Sequence, residues 1–388
     1  MEYMKNRTWL EVDLDAIGRN YRTVKERIGP DCQVIAVVKA NAYGLGAVAV
    51  ARELESLGCA MFGVVCMEEA MALRDSGIKA PVLVMGPINP QHTELAVDES
   101  IEVALTSLGH ARALSKAVKA AGKSIKGHIK IDTGLRRLGI PVEGRSDEVV
   151  AEILKMTALN GIDAVGLFTH FTASSGMPGS DEFNEKQMSL FAEIANRLDA
   201  AKIHLKKHCS STLATVRYPD YRYDYVRVGS LLYGLRPDTY GGLDIDVTVE
   251  MKTRIYQIRE VKAGSPVSYG PMFHTLRDSR LAVVPVGFAD GLRRTIANRG
   301  SMLVHGKKTP IVGQLSSDYT TLDVTDIPEA KEGDIVTVFG CDHGVAQPVY
   351  EFGDLYPGTP AEVTAVISPR IPRYYLKGGL FQQKANLN

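Results

Sequence analysis

QVIAVVKANAYGLGAVAVARELESLG, residues 33–58, runs from a β-branched stretch through a glycine-punctuated turn into a helically periodic segment. QVIAVVK (33–39) has the Val and Ile content of a strand buried on both faces. AVAVARELESLG (47–58) spaces its apolar residues for one face of a helix. The same unit recurs down the chain. MFGVV (61–65), PVLVMG (81–86), IEVALT (101–106), IKGHIKI (125–131), IDAVGLFTH (162–170), KIHLKKH (202–208) and YDYVRVG (223–229) are further strand candidates. MEEAMALRDSG (67–77), LGHARALSKAVKAAG (108–122) and EKQMSLFAEIANRLDAA (185–201) are further helix candidates. About eight strands alternating with helices, with no GxGxxG fingerprint, predict an α/β fold: a (β/α)8 TIM barrel rather than an open doubly wound sheet.

After LLYGLRP (231–237) the texture changes. VTVEMKTRIYQIREV, RLAVVPVGFA, SMLVHGKKTPIVG, TTLDVTD, DIVTVFG and AEVTAVIS read as closely spaced strands with turn signals between them. The expected division is a barrel over 1–240 and a C-terminal all-β domain over 241–388. Composition supports two globular units: 388 residues, of which 45% are hydrophobic, can bury two cores. Lys+Arg and Asp+Glu balance at 45 each, so no global field draws the chain to nucleic acid or an anionic membrane, and a small-molecule partner is expected. Five scattered cysteines without CxxC or Cys/His spacing predict neither a disulfide framework nor a metal site. With no apolar N-terminal leader and no long apolar run, a cytoplasmic protein is expected.

In such barrels chemistry sits where strands end and βα loops begin. Lys39 stands at the end of the first barrel strand, where apolar walls would lower its pKa and make it a better nucleophile or base. Other strand ends add KIDTGLRRLG (130–139), FTHF (168–171), HCSSTLA (208–214) and VRVGSLLYG (226–234). That rim offers Arg137, His170, Thr212, Arg227 and main-chain amides near Gly229 and Ser230, a set suited to a phosphate and to a carboxylate. A reactive amine, a phosphate cradle and carboxylate-binding cations together suggest pyridoxal phosphate acting on an amino acid.

The sequence resembles the alanine racemase family, the fold-type III pyridoxal-phosphate enzymes. The similarity runs from TWLEVDLDAI (8–17) to ISPRIPRYY (367–375), through VVKANAYGLGA, KIDTGLRRLG, THF, VRVGSLLYG, PVSYG (266–270), VGFADGLRR (286–294) and RIPR (370–373). The resemblance implies an isomerase of D-amino-acid metabolism, a barrel with a β domain, and a homodimer whose active sites each borrow groups from the partner. It further implies that Lys39 binds the cofactor aldehyde and serves as one acid–base group, with Tyr269 of PVSYG from the other subunit as the second. Tyr43, Thr212, Gly229 and Ser230 would hold the phosphate, Arg227 the pyridine nitrogen, and Arg137 the substrate carboxylate. Lys130 matches a lysine that many relatives carry carbamylated. Arg227, linked through His170 and with His208 supporting the same network, would supply the positive charge that a tyrosine acting as a base near neutral pH needs.

Several positions depart from the pattern: Arg136 replaces a small or polar residue and Ser211-Thr212 the usual Asn-Ser, and three more concern the substrate. Ser317 of GQLSSD stands where relatives carry a methionine whose amide meets the substrate carboxylate, Ala361 stands where they keep a tyrosine, and Phe288 replaces an entrance tyrosine. The expected reaction is interconversion of L- and D-alanine, but the loss of two bulky groups, at 317 and 361, implies a larger pocket, so a racemase for serine, lysine or ornithine is the alternative. A decarboxylase or lyase of the same fold type, and a non-catalytic cofactor carrier, are the readings outside the racemases.

Overall fold

The computed structural model describes residues 6–172, 179–270, 272–355 and 358–385, with no account of the side chains at 120–121 and 382–385. Strand β1 is Thr8–Asp13. The barrel strands follow as β2 (Gln33–Val37), β3 (Met61–Val64), β4 (Val82–Val84), β5 (Ile101–Leu105), β6 (Ile125–Asp132), β7 (Ile162–Phe168), β8 (Lys206–His208) and β9 (Tyr225–Val228). They pair in parallel in the order β9-β2-β3-β4-β5-β6-β7-β8. The Arg227 N–H donates to the Ser210 carbonyl at 3.0 Å, bringing β9 against the end of β8 and nearly closing the ring. The predicted parallel barrel is the observed one.

Helices Ala47–Ser56, Met67–Asp75, Leu108–Ala121 and Ser180–Ala200 fall on the four segments read as helical. Their apolar faces and the outward faces of the strands form one large buried cluster, whereas Ile35, Met61 and Leu83 form a small separate cluster inside the barrel. The rest of the interior is largely polar, with His128, Lys130, His208 and Arg227 all buried. An interior this polar has to be hydrogen-bonded, and that constraint shapes the site.

The C-terminal strands are β10 (Val249–Arg254), β11 (Gln257–Val261), β12 (Ser279–Val284), β13 (Ser301–Val304), β14 (Lys307–Pro310), β15 (Thr320–Asp323), β16 (Ile335–Asp342), β17 (Val345–Gln347), β18 (Arg373–Lys377) and β19 (Leu380–Ala385). One sheet runs β14-β13-β16-β10-β1-β18-β19 with β17 beside β16, and a smaller one runs β11-β12-β15. Residues 1–240 therefore do not all sit with the barrel: β1 lies between β10 and β18, so Thr8–Asp13 belongs to the second sheet.

AEVTAVIS, expected as a strand, is instead mostly the helix Pro360–Ala365. Thr359 and Glu362 close a capping box around it and Pro360 takes a first-turn position, local hydrogen bonds that outweigh the β-branched content of the segment. Among the described residues, no helix is long and apolar enough to cross a membrane.

Candidate active site

At the C-terminal ends of the barrel strands lies a cavity of about 410 Å³. Lys39, Tyr43, Lys130, Arg137, His170, Thr212, Arg227, Gly229 and Ser230 all line it. Four of these are Lys or Arg and no Asp or Glu is among the described lining residues. Such a cavity is built to receive anions.

Lys39 does not end the strand as expected; β2 stops at Val37 and Lys39 opens a tight turn. Ala40, Asn41, Ala42 and Tyr43 have φ of 49°, 55°, 52° and 55°, a left-handed turn that costs roughly 1–2 kcal/mol per non-glycine residue. Several contacts hold it. The Ala42 N–H donates to Val38 O at 2.8 Å, and the Gly44 and Gly46 N–H groups donate to Ala40 O and Asn41 O at 2.9 Å each. The Glu69 carboxylate accepts from Ala40 N–H at 2.6 Å and from Val65 N–H at 2.8 Å. The C-terminal domain supplies the remainder: buried Arg373 donates to Gly44 O and Tyr375 to Leu45 O, both at 3.1 Å. Strain concentrated next to the reactive amine is thus fixed by the surrounding fold. Burial, and then the Arg137 cation, lower the Lys39 pKa, with Glu69 opposing them. The amine accordingly spends more time neutral and nucleophilic.

Arg227 is 4% exposed. Its terminal nitrogens donate to His208 Nδ1 at 2.9 Å, His208 O at 2.7 Å, Thr169 O at 2.7 Å and Cys209 O at 3.0 Å. Nε–H takes no partner among the described residues and remains for a group in the cavity. Burial brings the Arg227 pKa down to about 10, still a cation at neutral pH. The link expected through His170 is the longer one, 3.4 Å to its Nδ1, and His208 is the closer neighbour. His170 also brings no charge to the anion-binding rim: burial, followed by Arg227 and the other cations, pushes its pKa down to about 3. His208 lies beneath the cavity, fully buried and held well below its ordinary pKa.

Tyr43, Thr212 and Gly229 meet at one side. A Cβ on Gly229 would stand 2.8 Å from the Tyr43 hydroxyl oxygen, so only glycine leaves that space open. The Gly229 N–H donates to Thr212 Oγ1 at 3.1 Å, which orients the threonine to donate its own proton elsewhere. Arg136 and Arg137 separate by exposure. Arg136 pairs with Glu143 at 3.6 Å with its side chain 83% exposed, whereas Arg137 lines the cavity and makes no ion pair among the described residues. Asp132 fixes that loop by accepting from Gly134 N–H at 2.9 Å and Arg136 N–H at 3.1 Å.

Tyr269 and Ser317 are not in this cavity. Tyr269 is 69% exposed on the second domain, and Ser317 is exposed on the neighbouring segment. Ser268 Oγ donates to Gln314 O at 2.5 Å and fastens the two segments together. Phe288 N–H donates to Ser316 O at 3.1 Å and joins the same patch. Ala361 sits on the helix that packs beneath the Lys39 turn and is not a lining residue.

The profile described as "Alanine racemase, N-terminal domain" matches residues 12–237, and that described as "Alanine racemase, C-terminal domain" matches residues 248–375. The chain belongs to the alanine racemase family. An alanine racemase of Desulfosudis oleivorans is 36% identical over 379 residues, spanning 95% of this chain and 97% of that one. The solved alanine racemase of Clostridium difficile 630 superposes with a TM-score of 0.90 at 30% identity over 98% of both chains. That of Bartonella henselae, solved with covalently bound pyridoxal phosphate, gives 0.84 at 27% identity over 96% of this chain and all of the other. Alanine racemases are isomerases, and this chain is an enzyme of that class.

Sequence reasoning missed two residues that the fold links to Arg227 through His208. His208 Nε2 lies 2.8 Å from His128 Nδ1, and His128 Nε2 lies 2.7 Å from Glu102 Oε2. Both stand in runs read as strands, IEVALT and IKGHIKI. His128 alternates with Lys130, the one signal that its side chain shares the inward face.

Proposed function

We propose that this enzyme interconverts L- and D-alanine with pyridoxal phosphate as cofactor, and that Lys39 and Tyr269 move the α-proton on opposite faces of the substrate. The observation that carries the reading is the joint placement of the Lys39 amine, the Arg227 guanidinium and the Tyr43–Thr212–Gly229 cradle in one cavity with no acidic side chain among its described lining residues. These residues fit the cofactor. Tyr43, Thr212 and the Ser230 amide offer donors to a phosphate, and glycine at 229 keeps the cradle open. Bound pyridoxal phosphate supplies an aldehyde that bonds covalently to a lysine amine and a conjugated ring that spreads negative charge from Cα.

The chain's own groups do the rest. Lys39, its pKa lowered by burial, takes or returns a proton at Nζ. Arg227 donates and does not give up its proton at working pH, so it would hold a ring nitrogen as an acceptor only and would limit how much charge the ring withdraws. Arg137 holds a carboxylate, and the amide of Ser317, delivered like Tyr269 from the second domain of another copy, adds a donor. Inverting the α-carbon needs a second acid–base group on the face opposite Lys39. Tyr269 stands exposed and outside its own chain's cavity, which supports delivery to the cavity of a second copy in a homodimer. There a neutral His170, accepting from Arg227 at Nδ1, can donate from Nε2 to the phenolate oxygen.

A racemase for a larger amino acid is the second reading, favoured by the small exposed side chain at Ser317 beside the Tyr269 loop. Purified protein with added pyridoxal phosphate is assayed by chiral chromatography against L-alanine, L-serine, L-lysine and L-ornithine. Alanine turning over fastest supports the first reading, and one of the others doing so supports the second. Release of carbon dioxide without the enantiomer refutes both.

A further inference from the structure

A buried arginine is normally balanced by a carboxylate in contact with it. Arg227 has none among the described residues: every neighbour to which it donates there is an imidazole nitrogen or a main-chain carbonyl. The nearest hydrogen-bonded acid lies three links away, on the far side of the barrel interior.

We propose that Glu102 is a positioning residue for Arg227, acting through His128 and His208 along a hydrogen-bonded chain that crosses the inside of the barrel. The proposal rests on the reading above that Arg227 faces the cofactor. Its direction follows from donor and acceptor chemistry alone. A guanidinium has no acceptor, so His208 Nδ1, 2.9 Å from Arg227, must be the bare nitrogen. His208 then carries its proton on Nε2 and donates to His128 Nδ1 at 2.8 Å. His128 in turn carries its proton on Nε2 and donates to the Glu102 carboxylate at 2.7 Å. Two neutral imidazoles join a cation to an anion, and each ring is left with a single tautomer. Reversing the chain would require Arg227 to accept a hydrogen bond, which it cannot do.

The walls are shaped around this chain. Gly166 is the register partner of His128 on β7, and a Cβ there would stand 2.1 Å from His128 Nδ1. The β6–β7 ladder shifts register between Gly127 and His128, which re-aims the ring. Phe168 stacks on His208 at 4.8 Å between centroids and 10° between planes. His128 is 1% exposed and His208 fully buried, so water cannot substitute for a missing partner. Beyond the two imidazoles, Glu102 reaches an opening: it lines a second cavity, of about 260 Å³, at the N-terminal ends of the strands, opposite the active site that Arg227 lines. The chain thus links the two ends of the barrel. Arg227 is gripped from below by its terminal nitrogens while it lines the cavity above.

The test is made on the full-length protein labelled with 15N-histidine and read by solid-state NMR. The proposal expects His128 and His208 both as neutral rings protonated at Nε2, with and without pyridoxal phosphate. Glu102→Gln is nearly isosteric and removes the charge. It should shift the His128 resonances and also those of His208, one link beyond the mutated contact. Binding of pyridoxal phosphate, titrated by absorbance, should weaken about tenfold with the circular dichroism unchanged. A His208 protonated at Nδ1 or at both nitrogens overturns the proposal, as does a Glu102→Gln protein with unchanged His208 resonances and unchanged cofactor affinity. Failure of the cavity reading shows differently: the unmutated protein then takes up no pyridoxal phosphate, whatever its tautomers.

Discussion

The hydroxyl of Tyr43 occupies the space where a side chain at position 229 would begin, 2.8 Å from where a Cβ on Gly229 would lie. Tyr43 comes from the turn after β2 and Gly229 from the end of β9, so the contact ties the ends of two neighbouring, hydrogen-bonded strands. Gly229→Ala must push the tyrosine out of the cradle. Overpacking of this kind costs about 1–3 kcal/mol, so pyridoxal-phosphate affinity should fall roughly tenfold to a hundredfold with little change in far-ultraviolet circular dichroism. Absorbance titration of the cofactor checks this.

Gly44 adopts φ +88°, and a Cβ there would stand 2.0 Å from the Thr364 carbonyl oxygen. Gly44→Ala therefore adds left-handed strain and forces apart the Lys39 turn and the helix Pro360–Ala365. Urea unfolding should show a loss of roughly 2–4 kcal/mol, with racemisation lost alongside.

The buried histidines fix the response to acid. An unfolded histidine takes a proton near pH ~6.5, whereas burial and the neighbouring cations keep His170 neutral down to about 3. Between those limits the unfolded state binds the additional proton, so stability is full above about pH 6.5 and is lost as pH falls toward 3. His208, also held well below its ordinary pKa, acts in the same direction. The urea midpoint of the cofactor-free protein should drop between pH 7 and pH 4.5, and His170→Gln should flatten that slope.

Lys130 sits over the Phe168 ring at 5.1 Å, and burial, then Arg227 and Arg137, lowers its pKa to about 8. Its amine is then substantially uncharged in mild alkali and able to add to carbon dioxide, and the product carbamate would meet Arg137 in a cavity lined with cations. Protein held in 13C-bicarbonate at pH 8.5 should give a carbamate carbon signal by NMR. Lys130→Arg should abolish it.

The barrel was legible because its strands are β-branched runs bounded by helical periodicity, and the lining residues lay at the ends of those runs. The Lys39 turn was not, since KANAY carries nothing that demands a left-handed backbone; contacts from Glu69, Arg373 and Tyr375 impose it. Glu102 and His128 were hidden for a related reason. Which inward residues touch is decided by strand stagger around the closed ring, and the glycine that admits His128 lies 38 positions further on, at 166. The segment 360–365 misled in the other direction, its capping box being present in the sequence but outweighed in the reading by valine and isoleucine.

Sharing of active sites between two chains is tested most directly by mixing inactive variants. Lys39→Ala and Tyr269→Phe proteins, each assayed alone for D-alanine formation, should be nearly inactive. Dissociated and reassociated in equal amounts, half the dimers pair one of each, and each of those holds one intact site, so about a quarter of the wild-type rate should return. A mixture as inactive as its components, or a Tyr269→Phe protein that racemises alanine at the wild-type rate, would contradict the account.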